Sequence, residues 1–60
     1  MSAKFEIFKD KDTRYRFRLK APNGEIIAAS EAYKEKKACQ DGIQAVKEYA
    51  AAAPVVDLAP

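Results

Sequence analysis

The chain has 60 residues, of which 48% are hydrophobic and 33% are charged, and its formal net charge is +2. This apolar content argues against a disordered tail, and no apolar run reaches the ~20 residues that a membrane-spanning helix needs. The single cysteine cannot form an internal disulfide, and one cysteine with no histidine makes no zinc site. The absence of histidine also removes the commonest general base near neutral pH. We therefore expect one small domain that has no cofactor, no metal and no enzymatic activity.

The small size of the domain predicts self-association. A chain of this length buries only about 60% of the surface that its unfolded state exposes. Domains of this size usually add a disulfide, a metal or a partner subunit to a small core, and the first two are excluded here. Nothing at the N-terminus resembles a signal peptide and a free thiol fits a reducing compartment, so we expect a cytoplasmic protein with no membrane partner.

Strict alternation of apolar and polar residues predicts the first two strands. The first strand runs from Lys4 to Lys9 and turns Phe5 and Ile7 to the same face. A polar turn at residues 10–13 leads to the second strand, in which the period of two is clearest. In that strand, Tyr15, Phe17 and Leu19 alternate with Arg14, Arg16, Arg18 and Lys20.

A short loop predicts a hairpin to a third strand. Pro22 suits the first central position of a type I turn, and Gly24 supplies the left-handed residue of a three-residue loop with a bulge. The chain then returns as a strand from Glu25 to Ser30. This loop sets the register, and the expected apolar pairs on one face of the sheet are Ile7 with Phe17, Phe5 with Leu19, Leu19 with Ile27, and Phe17 with Ala29.

From Glu35 to Ala50 the apolar period changes to that of a helix. Glu35 is not a preferred N-cap residue, so the start of this helix is poorly marked. Gly42 in mid-helix costs about 1 kcal/mol relative to alanine, which is tolerable where glycine allows a close approach to the sheet or to a partner helix. We expect the helix to cover the apolar sheet face, with a core formed mostly by Phe5, Ile7, Phe17, Leu19, Ile27, Cys39, Ile43 and Val46.

Residues 54–58 predict a short fourth strand. Pro54 at its start suits an edge or a first-strand position. One helix laid across three short strands leaves this strand no obvious place in its own subunit. It pairs either with its own sheet or with the sheet of a partner.

A series of motifs in fixed order runs from Lys4 to Ala50. It consists of Phe5-Glu6-Ile7-Phe8-Lys9-Asp10, Tyr15-Arg16-Phe17-Arg18-Leu19-Lys20-Ala21, Asn23-Gly24-Glu25, Ile27-Ala28, Ser30-Glu31, Tyr33, Lys36, Gly42-Ile43 and Val46-Lys47. This series resembles the YegP-like family of small bacterial proteins of unknown function. The resemblance implies an α+β fold of three strands, a helix and a final strand, in which two units form one antiparallel sheet by exchanging their C-terminal strands. It implies that residues 1–60 are a single domain, that the chain is a homodimer with Val55–Leu58 as the swapped strand, and that no catalytic residues are carried over.

The basic second strand is the sharpest indication of function. Side chains two residues apart in a strand are spaced by about 6.5 to 7 Å, close to the phosphate step of a nucleic-acid strand. Phe8 nearby offers a stacking face for a base. Three interpretations remain open: a solvated face whose arginines pair with Glu6, a phosphate-binding face, and a contact patch for another protein that includes Phe8 and Ile26. The residues assigned to either binding function are Arg14, Arg16, Arg18, Lys20 and Phe8.

The other reactive side chains favour structural roles. Cys39 lies on the apolar stripe of the helix, where cysteine behaves as a small hydrophobe. Asp10 and Asp12 fit a turn whose carboxylates bond to their own backbone better than a metal loop. Tyr33 and Tyr49 are expected at the helix ends or at the dimer interface. The sequence therefore predicts a non-enzymatic homodimeric interaction module, with nucleic-acid binding through the second strand as the alternative.

Overall fold

The computed structural model describes residues 2–60. Strands β1 (Lys4–Lys9), β2 (Tyr15–Lys20) and β3 (Ile26–Ala29) form an antiparallel sheet in the order β1-β2-β3. Helix α1 (Lys36–Tyr49) follows the sheet and contacts mainly β2. The predicted α+β class, with one helix on one face of an antiparallel sheet, is confirmed.

The pairing of β1 with β2 has the predicted register. Phe5 lies opposite Leu19 and Ile7 lies opposite Phe17, so the apolar side chains of both strands share the face under α1. Because side chains alternate along a strand, a slip by one residue would place the arginines of β2 under the helix. The apolar pattern of these two strands is therefore sufficient to fix their pairing.

The pairing of β2 with β3 differs from the prediction. The hairpin loop forms as expected, since the Ala21 N–H donates to the Glu25 carbonyl at 2.8 Å and Gly24 has a left-handed φ of +89°. Beyond the loop the register shifts between Leu19 and Lys20. Two residues of β3 then stand against one residue of β2, as in a β-bulge, so Leu19 faces Ala28 instead of Ile27.

Because of the bulge, Ile27 does not belong to the core. The prediction that Ile27 is buried is therefore wrong. Its side chain is 61% exposed, and the predicted pairing of Phe17 with Ala29 is replaced by that of Arg18 with Ala29. Ser30 follows β3 and continues the ladder with its backbone N–H, which donates to the Phe17 carbonyl at 2.9 Å, and with its side chain. Its hydroxyl accepts a hydrogen bond from the Phe17 N–H at 2.9 Å and donates one to the Glu31 carbonyl at 2.8 Å.

The core is small and lies between β2 and α1. Phe17 and Cys39 are buried, and burial raises the pKa of the Cys39 thiol. The predicted role of Cys39 as a core residue agrees with its complete burial. The remaining predicted core residues other than Ile27 are half-buried: Phe5, Ile7, Leu19, Ile43 and Val46.

Gly42 allows α1 to approach the sheet closely. A methyl group placed on Gly42 would lie 2.7 Å from the hydroxyl oxygen of Tyr33 and 3.2 Å from Cε2 of Phe17. The two aromatic rings are stacked, with centroids 6.4 Å apart. Two backbone hydrogen bonds to Tyr15 hold Tyr33 beside β2. From there its ring contacts the middle of α1 at Gly42 and not an end of the helix.

The helix starts and ends without strong signals. Within the described chain, the Glu35 side chain forms no capping hydrogen bond, in agreement with the poorly marked start. The helix ends at Tyr49, whose side chain is exposed, and a short turn follows. In the part of the chain that the structure describes, no helix combines the length and apolar character needed to cross a membrane.

The fourth strand predicted at residues 54–58 is not formed within this chain. A strand requires the backbone of a neighbouring strand, and the sheet of residues 2–60 contains β1, β2 and β3 alone. The apolar side chains of this C-terminal segment are solvent-exposed instead: Val55 is 96% exposed, Val56 71% and Leu58 89%.

Candidate functional site

The sheet face opposite α1, here called the open face, gathers the charged residues of β1 and β2. With Phe5 and Ile7 turned toward α1, the alternation of the strands sends Glu6 and Phe8 to the opposite side. Their partners in β2 follow the same rule. The open face consists of Lys4, Glu6, Phe8, Arg16, Arg18, Lys20 and Ile26.

Glu6 lies at the centre of a cluster of three cations. Its Oε1 accepts a hydrogen bond from Nε of Arg18 at 2.8 Å and lies 3.4 Å from Nζ of Lys20. Its Oε2 lies 3.4 Å from Nζ of Lys4. One carboxylate thus faces three positive charges, and the cluster carries a net charge of +2.

The three cations keep the Glu6 carboxylate ionised. They lower the pKa of Glu6 from its ordinary 4.5 to about 2. The hydrogen bond from Arg18 is the main cause, the two lysines add to it, and partial desolvation opposes it. Glu6 is therefore negatively charged at any physiological pH.

Asp10 pairs with Arg16 at the other end of the open face. Its Oδ2 accepts a hydrogen bond from Nε of Arg16 at 2.7 Å. Its Oδ1 accepts hydrogen bonds from the backbone N–H groups of Asp12 and Arg14. The bond from Arg16 is the main cause of the lowered pKa of Asp10. The carboxylate therefore bonds to the backbone of its own turn, as predicted, and also restrains a basic side chain.

Phe8 lies between the two ion pairs. The guanidinium of Arg18 stands over its ring, 4.8 Å from the centroid, in a cation–π contact. The register places Phe8 opposite Arg16 and Glu6 opposite Arg18, as predicted. The apolar ring is half-buried and is flanked by arginine on both sides.

The structure brings together four of the five predicted contact residues. Arg16, Arg18, Lys20 and Phe8 share the open face, whereas Arg14 lies in the turn before β2 and forms no ion pair with residues 2–60. Sequence reasoning missed Lys4 as a member of this face. The signal was present, since the register that pairs Glu6 with Arg18 also pairs Lys4 with Lys20.

An open groove lies on the other side of the sheet, where β1 meets the first turns of α1. Its volume is about 500 Å³. Phe5 and Ile7 form an apolar floor that α1 covers only in part. The groove is lined by Phe5, Ile7, Phe8, Lys9, Tyr15, Lys36 and Gln40.

Residues 2–60 hold no cluster of side chains that would bind a metal. Within this range no three Cys, Asp or Glu residues are grouped as metal ligands would be. The Ser30 hydroxyl is engaged by backbone groups on both sides. The geometry thus describes a small domain with a basic sheet face and an exposed apolar C-terminal segment.

Comparison with known proteins places the chain in a family. The family model described as a domain of unknown function (DUF1508) matches residues 10–57, and the chain belongs to this family. The UPF0339 protein of Treponema denticola is 53% identical over 97% of this chain and 100% of its own length. The predicted resemblance to an uncharacterised, YegP-like family is confirmed.

Two further relatives bear on the architecture. A solution NMR structure of a protein from Haloferax volcanii is 40% identical, covers 93% of this chain and 95% of its own, and superposes with a TM-score of 0.87. The "UPF0339 protein in ptx operon 5'region" of Stutzerimonas stutzeri is 54% identical over 83% of this chain. The match covers only 45% of that relative, so more than half of its length lies outside the matched unit.

Proposed function

We propose that the protein is a non-enzymatic interaction module that works as a homodimer, in which each copy covers the C-terminal segment of the other. The observation that carries this proposal is the exposure of Val55, Val56 and Leu58, each more than 70% accessible to water. Burying a side chain of this kind contributes roughly 1.5 to 3 kcal/mol. A chain of 60 residues gains from such burial because its own core is small.

The sheet offers a place for this segment of a second copy. Within residues 2–60, β1 pairs with β2 alone, so the outer backbone groups of β1 are available to another strand. Beside that edge lies the groove with its floor of Phe5 and Ile7. A strand from a second copy would bond to the edge and place Val56 and Leu58, which share one face of a strand, against this floor.

Two features support a second copy as the occupant. The groove lining includes Lys9 and Lys36, whereas Asp57 is the one charged residue of the C-terminal segment, so the two surfaces have net charges of opposite sign. The Stutzerimonas relative has enough length outside its match to hold a second such unit in one chain. Both features agree with two units that share one sheet.

Light scattering of the intact protein at micromolar concentration tests this proposal. We expect twice the chain mass of 6.7 kDa. Val56→Asp combined with Leu58→Asp should reduce the mass to that of one chain, because two carboxylates would enter the apolar interface. Ala51→Asp combined with Ala53→Asp adds the same charge beside the segment and should leave the dimer intact. A monomeric wild type would overturn the proposal, and a dimeric Val56/Leu58 variant would overturn the role of the segment.

Nucleic-acid binding through the open face is the second candidate function. Arg16, Arg18 and Lys20 are spaced along β2 at about the phosphate step of a nucleic-acid strand, on a face that α1 does not cover. Phe8 lies among them as an aromatic surface. Opposing this, Glu6 and Asp10 neutralise part of the positive charge.

Fluorescence anisotropy with labelled single-stranded DNA and RNA tests this candidate. Binding to phosphates should weaken steeply between about 50 and 200 mM salt. Arg16→Gln combined with Arg18→Gln should abolish it, whereas Lys37→Gln combined with Lys47→Gln removes the same charge from α1 and should not. No binding at low salt would remove this candidate and leave the open face as a protein-contact surface.

A further inference from the structure

The cluster around Glu6 has more positive charge than its structural role explains. Lys4 and Lys20 face each other directly across the β1–β2 ladder, and like charges in that position destabilise a sheet. A single carboxylate lies between them and is shared with Arg18. The three cations thus form an anion-binding site, and the Glu6 carboxylate of the same chain occupies it.

We propose that Lys4, Arg18 and Lys20 form a phosphate subsite of the open face, and that Glu6 occupies this subsite until a phosphate of single-stranded nucleic acid displaces it. The inference rests on the proposed nucleic-acid function and adds a defined site and an internal competitor. A phosphodiester presents two non-bridging oxygens, as the carboxylate does, so it can accept the same three donors. No covalent bond changes in this exchange.

The surroundings of the cluster suit a nucleic-acid strand. A concavity of about 240 Å³ adjoins Lys4 and Lys20 and is bounded by the hairpin loop at residues 21–24. On the far side of Arg18 lies the ring of Phe8. Successive rungs of the sheet therefore offer a cavity beside two lysines, then Arg18, then an aromatic ring. A nucleic-acid strand lying along this line would contact the two lysines and Arg18 first and the ring of Phe8 next.

The competitor remains charged under all ordinary conditions. The pKa of Glu6, about 2, keeps its carboxylate ionised throughout the physiological range, so mild acidification does not free the three cations. The carboxylate is nevertheless reachable, since its side chain is 26% exposed and that of Lys4 is 65% exposed. Displacement by a ligand is thus sterically open and costs the ion pairs that Glu6 makes.

The experiment compares two variants that change net charge equally. Glu6→Gln removes the competitor, whereas Glu48→Gln removes a carboxylate of α1 that pairs with no residue in the range 2–60. Both are titrated with a labelled single-stranded DNA of about 15 nucleotides, which spans one small binding surface. Glu6→Gln should bind about 10-fold more tightly than wild type at ~50 mM salt, with a steeper dependence on salt. Glu48→Gln should differ from wild type by less than about twofold.

A second variant tests the donors without altering the core. Lys4→Gln should weaken binding in both the wild-type and the Glu6→Gln backgrounds, because it removes one phosphate contact and lowers the salt dependence. Lys37→Gln is its control on α1. Circular dichroism verifies the fold of each variant. If Glu6→Gln did not fold, the effect of Lys4→Gln in the wild-type background would still decide whether the phosphate subsite exists.

The outcomes separate this inference from the function on which it rests. Equal affinities of Glu6→Gln and Glu48→Gln, with binding by the wild type, would overturn the role of Glu6 alone. An unchanged affinity of Lys4→Gln would overturn the subsite. Absence of binding by the wild type at ~50 mM salt would overturn the nucleic-acid function itself. Equal binding of a polyglutamate peptide would identify an acidic protein as the ligand and overturn the assignment to phosphate.

Discussion

Gly42 fixes how closely the helix lies on the sheet. The stacked rings of Phe17 and Tyr33 fill the space that a side chain at this position would need. Glycine lowers the stability of a helix by about 1 kcal/mol relative to alanine. The close contact between α1 and the aromatic pair, which a larger side chain would prevent, offsets this loss. Among residues 2–60 the buried core consists of Phe17 and Cys39, of which Cys39 is buried completely, and its packing depends on this contact.

Gly42→Ala should destabilise the protein despite the better helix propensity of alanine. The added methyl group would lie 2.7 Å from the hydroxyl oxygen of Tyr33, so α1 or the ring must move. Overpacking of this kind costs typically 1 to 3 kcal/mol, about as much as or more than the propensity gain. Urea denaturation followed by circular dichroism measures the difference. In a Tyr33→Phe background, which lacks the hydroxyl, the penalty should shrink. A stabilised Gly42→Ala protein would show that the helix lies farther from the sheet.

The lowered pKa values of Glu6 and Asp10 predict loss of stability in acid. The pKa of Glu6 is about 2 in the folded chain against an ordinary 4.5, and that of Asp10 is also lowered. A carboxylate with a depressed pKa contributes stability above its unfolded pKa and loses it as the pH falls toward the folded value. The melting temperature should therefore fall between about pH 5 and pH 2.

Glu6→Gln isolates the part of this pH dependence that belongs to Glu6. The variant should melt at a lower temperature than wild type at pH 7, and its melting temperature should change less between pH 5 and pH 2. Glu48→Gln serves as the control and should follow the wild-type curve. Parallel pH curves for Glu6→Gln and wild type would contradict the assignment of the lowered pKa to the open face.

At the scale of the elements, the sequence was informative wherever its pattern was unambiguous. The alternation of β1 and β2 specifies one register, the residues Pro22, Asn23 and Gly24 specify the loop, and the apolar period after residue 35 specifies α1. The run Ile26–Ala29 is apolar at every position, so it has no polar face to fix its register. The bulge opposite Leu19 was unpredictable for that reason.

The strand register predicts one of the two arginine–carboxylate ion pairs, Glu6–Arg18, but not the other, Asp10–Arg16. The register places Glu6 opposite Arg18 and so predicts their ion pair. The position of Asp10 toward Arg16 was not predictable, because it depends on the conformation of a turn in which Thr13 adopts a positive φ of 60°. A polar turn constrains its side chains much less than a strand does.

The bulge in β3 predicts that Ile27 contributes little to stability. Its side chain is 61% exposed, whereas Ile43 on α1 is half-buried against the sheet. Ile27→Ala should therefore cost less than about 1 kcal/mol, and Ile43→Ala should cost about 2 kcal/mol or more. Urea denaturation of both variants at one protein concentration measures the contrast. Equal costs would indicate that Ile27 is buried in solution, as the unbulged register requires.

At the scale of the whole molecule, positive and negative charge are concentrated in different parts of the chain. The basic excess lies in residues 1–37, which include the open face and have ten Lys and Arg against six Asp and Glu, whereas residues 38–60 have one lysine against three acids. The exposed apolar side chains of the segment 54–58 lie in this acidic part. In the proposed homodimer, two copies would meet through apolar contact and opposite charge, and the open faces would remain available to the proposed ligand.

A homodimer predicts that thermal stability depends on protein concentration. Association stabilises the folded state by mass action, so the melting temperature of wild type should rise between about 5 and 500 μM protein. Val56→Asp combined with Leu58→Asp should melt lower and at the same temperature across this range, because its folded state no longer gains from association. Ala51→Asp combined with Ala53→Asp should keep the wild-type concentration dependence. A wild-type melting temperature independent of concentration, together with a monomer mass, would mean that the small core between β2 and α1 is sufficient on its own.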